Sequence, residues 1–307
     1  MNTPSSRDSQ LIAPSATRPL YWSTRRELWE NRSLYIAPLA VAALALFGFL
    51  LALIHPPKSH DMGLAAINPS FEPIALAMPY SHAAMLLVLT GFIVVIFYCL
   101  DALYAERRDR SILFWKSLPV SDLTTVLAKA GIPLVVLPLI VFAITVALQL
   151  IMLVLSTAAL LMSGGSVATL WRQLPLFQLE AVLFYSLAVI TLWYAPIFAW
   201  LLLISAWARR TTFLWAILPP LAIALVEFIA FHTVHFGSLL RDRFFGFAPR
   251  AFNFMLPDGS MIDPHFIPIS QITPGRFLAT PGLWIGLVFA AAFLAAAVRL
   301  RRYREPI

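Results

Sequence analysis

Of the 307 residues, 60% are apolar and only 12% charged, with a mean hydropathy of +0.82; a soluble domain carries about twice that share of charge, so the composition excludes one and points to an integral membrane protein. The net charge of +7 fits basic loops facing anionic lipid and is not read as nucleic-acid binding. The single Cys99 excludes an intramolecular disulfide or a cysteine-based metal centre, and apolar runs that are continuous rather than alternating exclude a β-barrel.

The first 33 residues are polar and carry five arginines. The apolar run behind them is too long for a signal peptide and has no cleavage site after it, so it is expected to stay in the mature chain. The Pro-rich opening, Met1 to Pro19, reads as disordered. Leu20 to Tyr35, LYWSTRRELWENRSLY, gathers Tyr21, Trp22, Leu28 and Trp29 on one helical face. Arg26, Glu27, Glu30 and Asn31 lie opposite, and Arg26 is placed to pair with Glu30 at i,i+4. This pattern predicts an interfacial helix with its aromatics at headgroup depth, where Arg25 and Arg32 snorkel to phosphates. It serves either as a plain anchor or as a lever that also touches a partner, with Trp22, Arg25, Arg26 and Trp29 as its working residues.

Six spans of roughly 20 or more apolar residues follow. They run Leu34–Ile54, Ser81–Tyr104, Val126–Leu161, Phe177–Ala208, Thr212–Val234 and Gly282–Leu300. The third is long enough for two helices. Kept as one helix bent at Pro133 and Pro138, it places sixteen of the 22 Lys and Arg residues on the side of both termini. Only Lys58, Arg172, Arg241, Arg243, Arg250 and Arg276 then lie on the other side. The inward bias of positive charge makes both termini cytoplasmic. The fold expected is an all-α membrane protein of six transmembrane helices, residues 34–307, behind a tail and interfacial helix, residues 1–33.

The sizeable cytoplasmic loop, 105–121 between spans two and three, contains YAERRDRSILFWKSLPVSD from Tyr104 to Asp122. Glu106, Arg107, Arg108, Asp109 and Arg110 form a charged turn or two; Ile112, Leu113, Phe114 and Trp115 are apolar, and Lys116 follows. Pro119 stops the helix. Ser121 suits the N-cap of the next one, with Asp122 at its positive end. Apolar residues amid charges of both signs fit a protein-binding knob, or else a helix lying on lipid.

The outer loop, 236–281, is itself apolar. It reads either as re-entrant helices whose backbone is covered by protein or as a small folded cap. Glu227, deep in the fifth span with His232 and His235 after it, is an intramembrane acid and so a candidate gate or proton carrier; structural pairing is the alternative. The spacing of these three is not that of a zinc site. Glu180 reads as a solvated end charge and Met162 to Ser166 as a turn. Gly282, Gly286 and Ala290 make a small-residue stripe on the last span. No nucleotide-binding, nucleophile-elbow or metalloprotease motif occurs, so no enzymatic activity is expected of this chain.

In order, these features resemble the membrane subunit of an ABC transporter of the type-2 exporter permease family. The interfacial helix with RRELWENRSLY, the six spans with both ends inside, the charged loop between spans two and three and the apolar outer loop between spans five and six cover nearly the whole chain. The segment YAERRDRSILFWKSLPVS is similar to a Y-x-E-R…L-P-V-S run of such permeases. The resemblance implies that Glu106 to Lys116 form a coupling helix seated in a separate ATPase subunit, which would carry the ATP and magnesium. It also implies a second permease copy or related chain, a bacterial cytoplasmic membrane, and export of a lipid-like, peptide or drug-like substrate. Two other readings stay open, a proton-coupled secondary transporter using Glu227 and a non-transporting membrane scaffold.

Overall fold

The computed structural model describes residues 17–54, 72–109, 121–164, 167–255 and 267–303. Among these the architecture is helical, with one isolated antiparallel bridge, Phe252 to Ile272. Six helical segments are long and apolar enough to cross a membrane, as a multi-pass membrane protein requires.

Helix α1, Thr17–Glu30, is amphipathic and precedes the first span, α2, Ser33–Ile54. The second span, α3, runs Glu72–Asp101, and a short α4, Tyr104–Arg108, continues from it. Its start, Glu72, lies ahead of the predicted Ser81, because Pro79 is absorbed inside the helix.

The third span is one unbroken helical run from Asp122 to Ser163. It consists of α5, Asp122–Gly131, a π-helical turn, Ile132–Val136, and α6, Leu137–Ser163. The π turn lies where the prolines were expected to bend the helix: Pro133 and Pro138 lack amide hydrogens, and a wider turn accommodates the lost bonds without breaking the run. Ser121 caps α5, accepting the Thr124 amide at 3.1 Å. Gly164 ends α6 in the left-handed region, φ 72°, within the predicted turn. At about 1.5 Å per residue, so long a run outreaches a bilayer core.

A short α7, Val167–Gln173, leads into α8, Leu176–Trp207, then α9, Thr212–Phe231. Helix α8 is the hub: 67% of its most apolar stretch is buried, against 6% for α9 and 11% for α2. It packs mainly on α3 and on the last span, α13, Pro281–Tyr303. Trp193, Tyr194, Phe198 and Leu202 lie in its contacts. With lipid as solvent, such packing is driven by close approach rather than water exclusion. Between α3 and α6 the gap is closed at Gly91, where a Cβ would come 2.7 Å from Val141.

At the far end, His232 takes a left-handed conformation, φ 52°, and turns the chain back into α10, His235–Phe245. Trp193 and Tyr194, midway along α8, donate to the carbonyls of Arg243 and Phe244. Helix α10 therefore folds back to the middle of the bundle, and its orphaned C-terminal carbonyls are met by protein. Helix α11, Ala248–Ala251, returns from it, held by Tyr185, which donates to the Ala251 carbonyl at 3.1 Å. A 3-10 turn, Ile269–Gln271, and α12, Pro274–Leu278, lead to α13.

Candidate functional site

The base of the bundle, where α1 and the last turn of α13 lie, holds a buried cluster of charges drawn from four helices. Glu27 of α1 is 1% exposed and Lys129 of α5 is 2% exposed. One Glu27 oxygen accepts the Lys129 ammonium at 2.8 Å and Arg26 at 3.0 Å; the other accepts the Tyr98 hydroxyl at 3.0 Å. Glu106 of α4, also buried, receives Lys129 and Arg26 at 3.2 Å each on one oxygen. Arg301, near the end of α13, contacts its other oxygen.

Through its Nε, the same Arg301 guanidinium donates to Asp122 at 3.1 Å. Glu106 lies at the start of the loop predicted to be the cytoplasmic knob and Asp122 directly follows it, so one side chain of the last span clamps both of its ends. Three acids, Glu27, Glu106 and Asp122, face three bases, Arg26, Lys129 and Arg301. Such balance is what makes burial tolerable, because an unpaired charge here would bear the full desolvation cost.

Backbone contacts reinforce the clamp. Ser205 accepts the Leu103 and Tyr104 amides at 2.9 and 2.8 Å, holding the start of α4. Arg107, 3% exposed, donates to the carbonyls of Ala206 and Ala208 at 2.6 and 3.1 Å, satisfying the end of α8. At the margin Arg26 reaches Glu30 at 3.4 Å, the i,i+4 pair expected from the sequence. Partial burial raises the Glu30 carboxyl above the usual carboxylate range, with Arg26 pulling it back.

The residues singled out in the sequence divide into three groups. Glu106 and Arg107 are turned inward and engaged within the chain. Arg108 and Asp109 are more than half exposed and pair with each other at 2.9 Å. Arg110, Ile112, Leu113, Phe114, Trp115, Lys116 and the Pro119 stop lie outside the described residues.

On α1, Trp22 and Trp29 are 58% and 68% exposed, as an aromatic face against lipid would be. Arg25 lies over both rings, 5.3 and 4.9 Å from their centroids, a cation–π arrangement. The polar face packs on α5, which is why Glu27 is buried. Lys129, Arg301, Asp122 and Tyr98 were not singled out as partners. A lysine near the start of an apolar run was the available signal.

Glu227, His232 and His235 are brought together by a different logic. The Glu227 carboxylate accepts the Thr233 hydroxyl at 2.8 Å and the His235 amide at 2.7 Å on one oxygen, and the Phe236 amide at 2.8 Å on the other. It thus caps the start of α10 from the preceding helix, satisfying amides that α10 leaves orphaned. His235 contributes a backbone amide rather than its ring. This is the structural pairing weighed as the alternative to a gate. Among the described residues no cluster of His, Cys, Asp and Glu suits a metal ion.

No family model, curated protein or solved structure matches the chain.

Proposed function

We propose that the chain is the membrane-spanning permease subunit of an ABC exporter, driven by a separate ATPase subunit that binds the ATP and magnesium. The observation that carries this reading is the Arg301 clamp on Glu106 and Asp122. A loop whose two anchors are joined to each other, to the last span and to α1 cannot shift without taking the base of the bundle with it. A partner closing on residues 110–120 would move α3, α5, α13 and α1 as a rigid body. Breaking a buried pair costs about 3–5 kcal/mol, so the cluster moves intact rather than yielding.

In this reading the base faces the cytoplasm of a bacterial inner membrane, with both termini inside. The aromatic face of α1 rests on lipid, and a second copy or a related permease completes the transporter. The sparsely buried α2 and α9 leave room for such a neighbour. The chain itself performs no catalysis.

Co-expression with the candidate ATPase tests the reading. Hydrolysis should be stimulated by the wild-type permease and lose that stimulation when Arg108→Glu and Asp109→Arg are introduced at the exposed edge of the loop. Stimulation that survives this change places the coupling elsewhere. The committed geometry of Glu227 gives the proton-transporter reading no comparable support.

A further inference from the structure

We propose that the cleft between the start of α2, the end of α3 and the start of α9 is a binding site for a hydrophobic organic cation. It encloses about 580 Å³, within the roughly 300–1,000 Å³ typical of clefts that hold small organic ligands. Phe97 and Phe213 form apolar walls, Asn31, Ser33 and Thr212 a polar edge, and Asp101 supplies a formal charge. The apolar grooves between α6 and α8 and between α2 and α6 carry no charged side chain. This cleft therefore differs in chemistry as well as in size.

Asp101 is what selects the ligand. It is exposed, and among the described residues its carboxylate makes no hydrogen bond or ion pair. Of the basic side chains nearest in sequence, Arg107 turns away to the Ala206 and Ala208 carbonyls, and Arg108, near enough to feel the Asp101 charge, forms its ion pair with Asp109 at 2.9 Å. The other acids at the base, Glu27, Glu106 and Asp122, are each committed to a base; of this group Asp101 is the one in no direct ion pair among the described residues, and it lines the cleft together with Phe97 and Phe213. A carboxylate next to aromatic faces attracts a cation by charge and by the ring quadrupole. The apolar walls require that cation to carry hydrophobic bulk. The starts of α2 and α9 border the same cleft, and their positive dipole ends would draw an anion, so a matched anion is the proper control.

The site stands on its own residues; that its ligand is also the transported substrate rests on the permease reading. Binding measured on the isolated chain does not involve an ATPase, so either can fail without the other. The test is equilibrium binding of tetraphenylphosphonium and of tetraphenylborate, equal in shape and opposite in charge, to purified full-length protein in detergent. Asp101→Asn is expected to weaken phosphonium binding on the order of tenfold and to leave borate binding unchanged or tighter. Asp101→Glu should restore phosphonium binding, and Phe97→Ala should weaken it with the charge intact. An unchanged melting temperature in Asp101→Asn shows that the fold is kept. The proposal is overturned if Asp101→Asn binds the cation as tightly as wild type, or if it loses both ions equally.

Discussion

Arg301 donates its Nε to Asp122 at 3.1 Å although 179 residues separate them, and the other side of the same guanidinium meets Glu106. A planar fork with donors on two edges can bridge two carboxylates at once; an ammonium cannot do so in the same geometry. Arg301→Met leaves Glu106 and Asp122 without that partner and should lower stability by about 3–5 kcal/mol, read as a fall of about 10 °C in the melting temperature of the detergent-solubilised protein. Arg301→Lys should fall between. If Arg301→Met melts with wild type, the clamp contributes nothing.

The pair Glu27 and Lys129 should behave as a unit. Glu27→Gln leaves Lys129 with Glu106 as its acid and Lys129→Met leaves Glu27 with Arg26 as its base, so each alone unbalances the buried cluster and is expected to destabilise by a few kcal/mol. The double variant removes both charges and should cost clearly less than the sum of the two. Strict additivity in a thermal double-mutant cycle would show that the two side chains do not interact.

A methyl group tests the seating of α10. A Cβ on Gly286 would come 1.5 Å from the Arg243 guanidinium, which lies over Trp193 and donates to the Gly282 carbonyl at 3.2 Å. Gly286→Ala should therefore unseat Arg243 and raise hydrogen exchange across residues 241–250. Gly48→Ala, with nothing within 4 Å of its Cβ, should leave exchange there unchanged. Equal effects from both would mean that the close approach at Gly286 is not specific.

Glu227 separates cap from gate. Glu227→Ala removes an acceptor from three donors and should speed exchange of the His235 and Phe236 amides, with no change in any proton flux. Loss of a proton-driven flux with normal exchange at those amides would reinstate the secondary-transporter reading.

Hydropathy alone reveals the six spans, because each bilayer crossing must satisfy its own backbone with a long apolar helix. The Ser121 cap and the disturbance at Pro133 and Pro138 were equally legible, since both follow from local backbone chemistry. Which span lies at the centre was not: α8 and α9 are both apolar on every side, and lipid and protein ask for the same residues. The charge cluster was hidden for another reason. Helical periodicity divides α1 into an aromatic face and a charged face, and a charged face normally meets water; that it meets Lys129, 102 residues away, is a tertiary fact. The contacts of Glu227 were hidden for the same reason: its place in the fifth span marks it as a candidate gate, and the left-handed turn at His232 is what brings the α10 amides to it.

The central claim is that residues 110–120, clamped through Arg301, receive an ATP-hydrolysing subunit. Cys99 is fully buried, so Trp115→Cys would introduce the one readily accessible thiol, and a short bifunctional crosslinker on it reads contact directly. The account predicts a single crosslinked product with a co-purifying ATP-hydrolysing polypeptide, with a yield that changes when ATP is added. Purification of that polypeptide with the intact permease but without any crosslink from position 115 would contradict it.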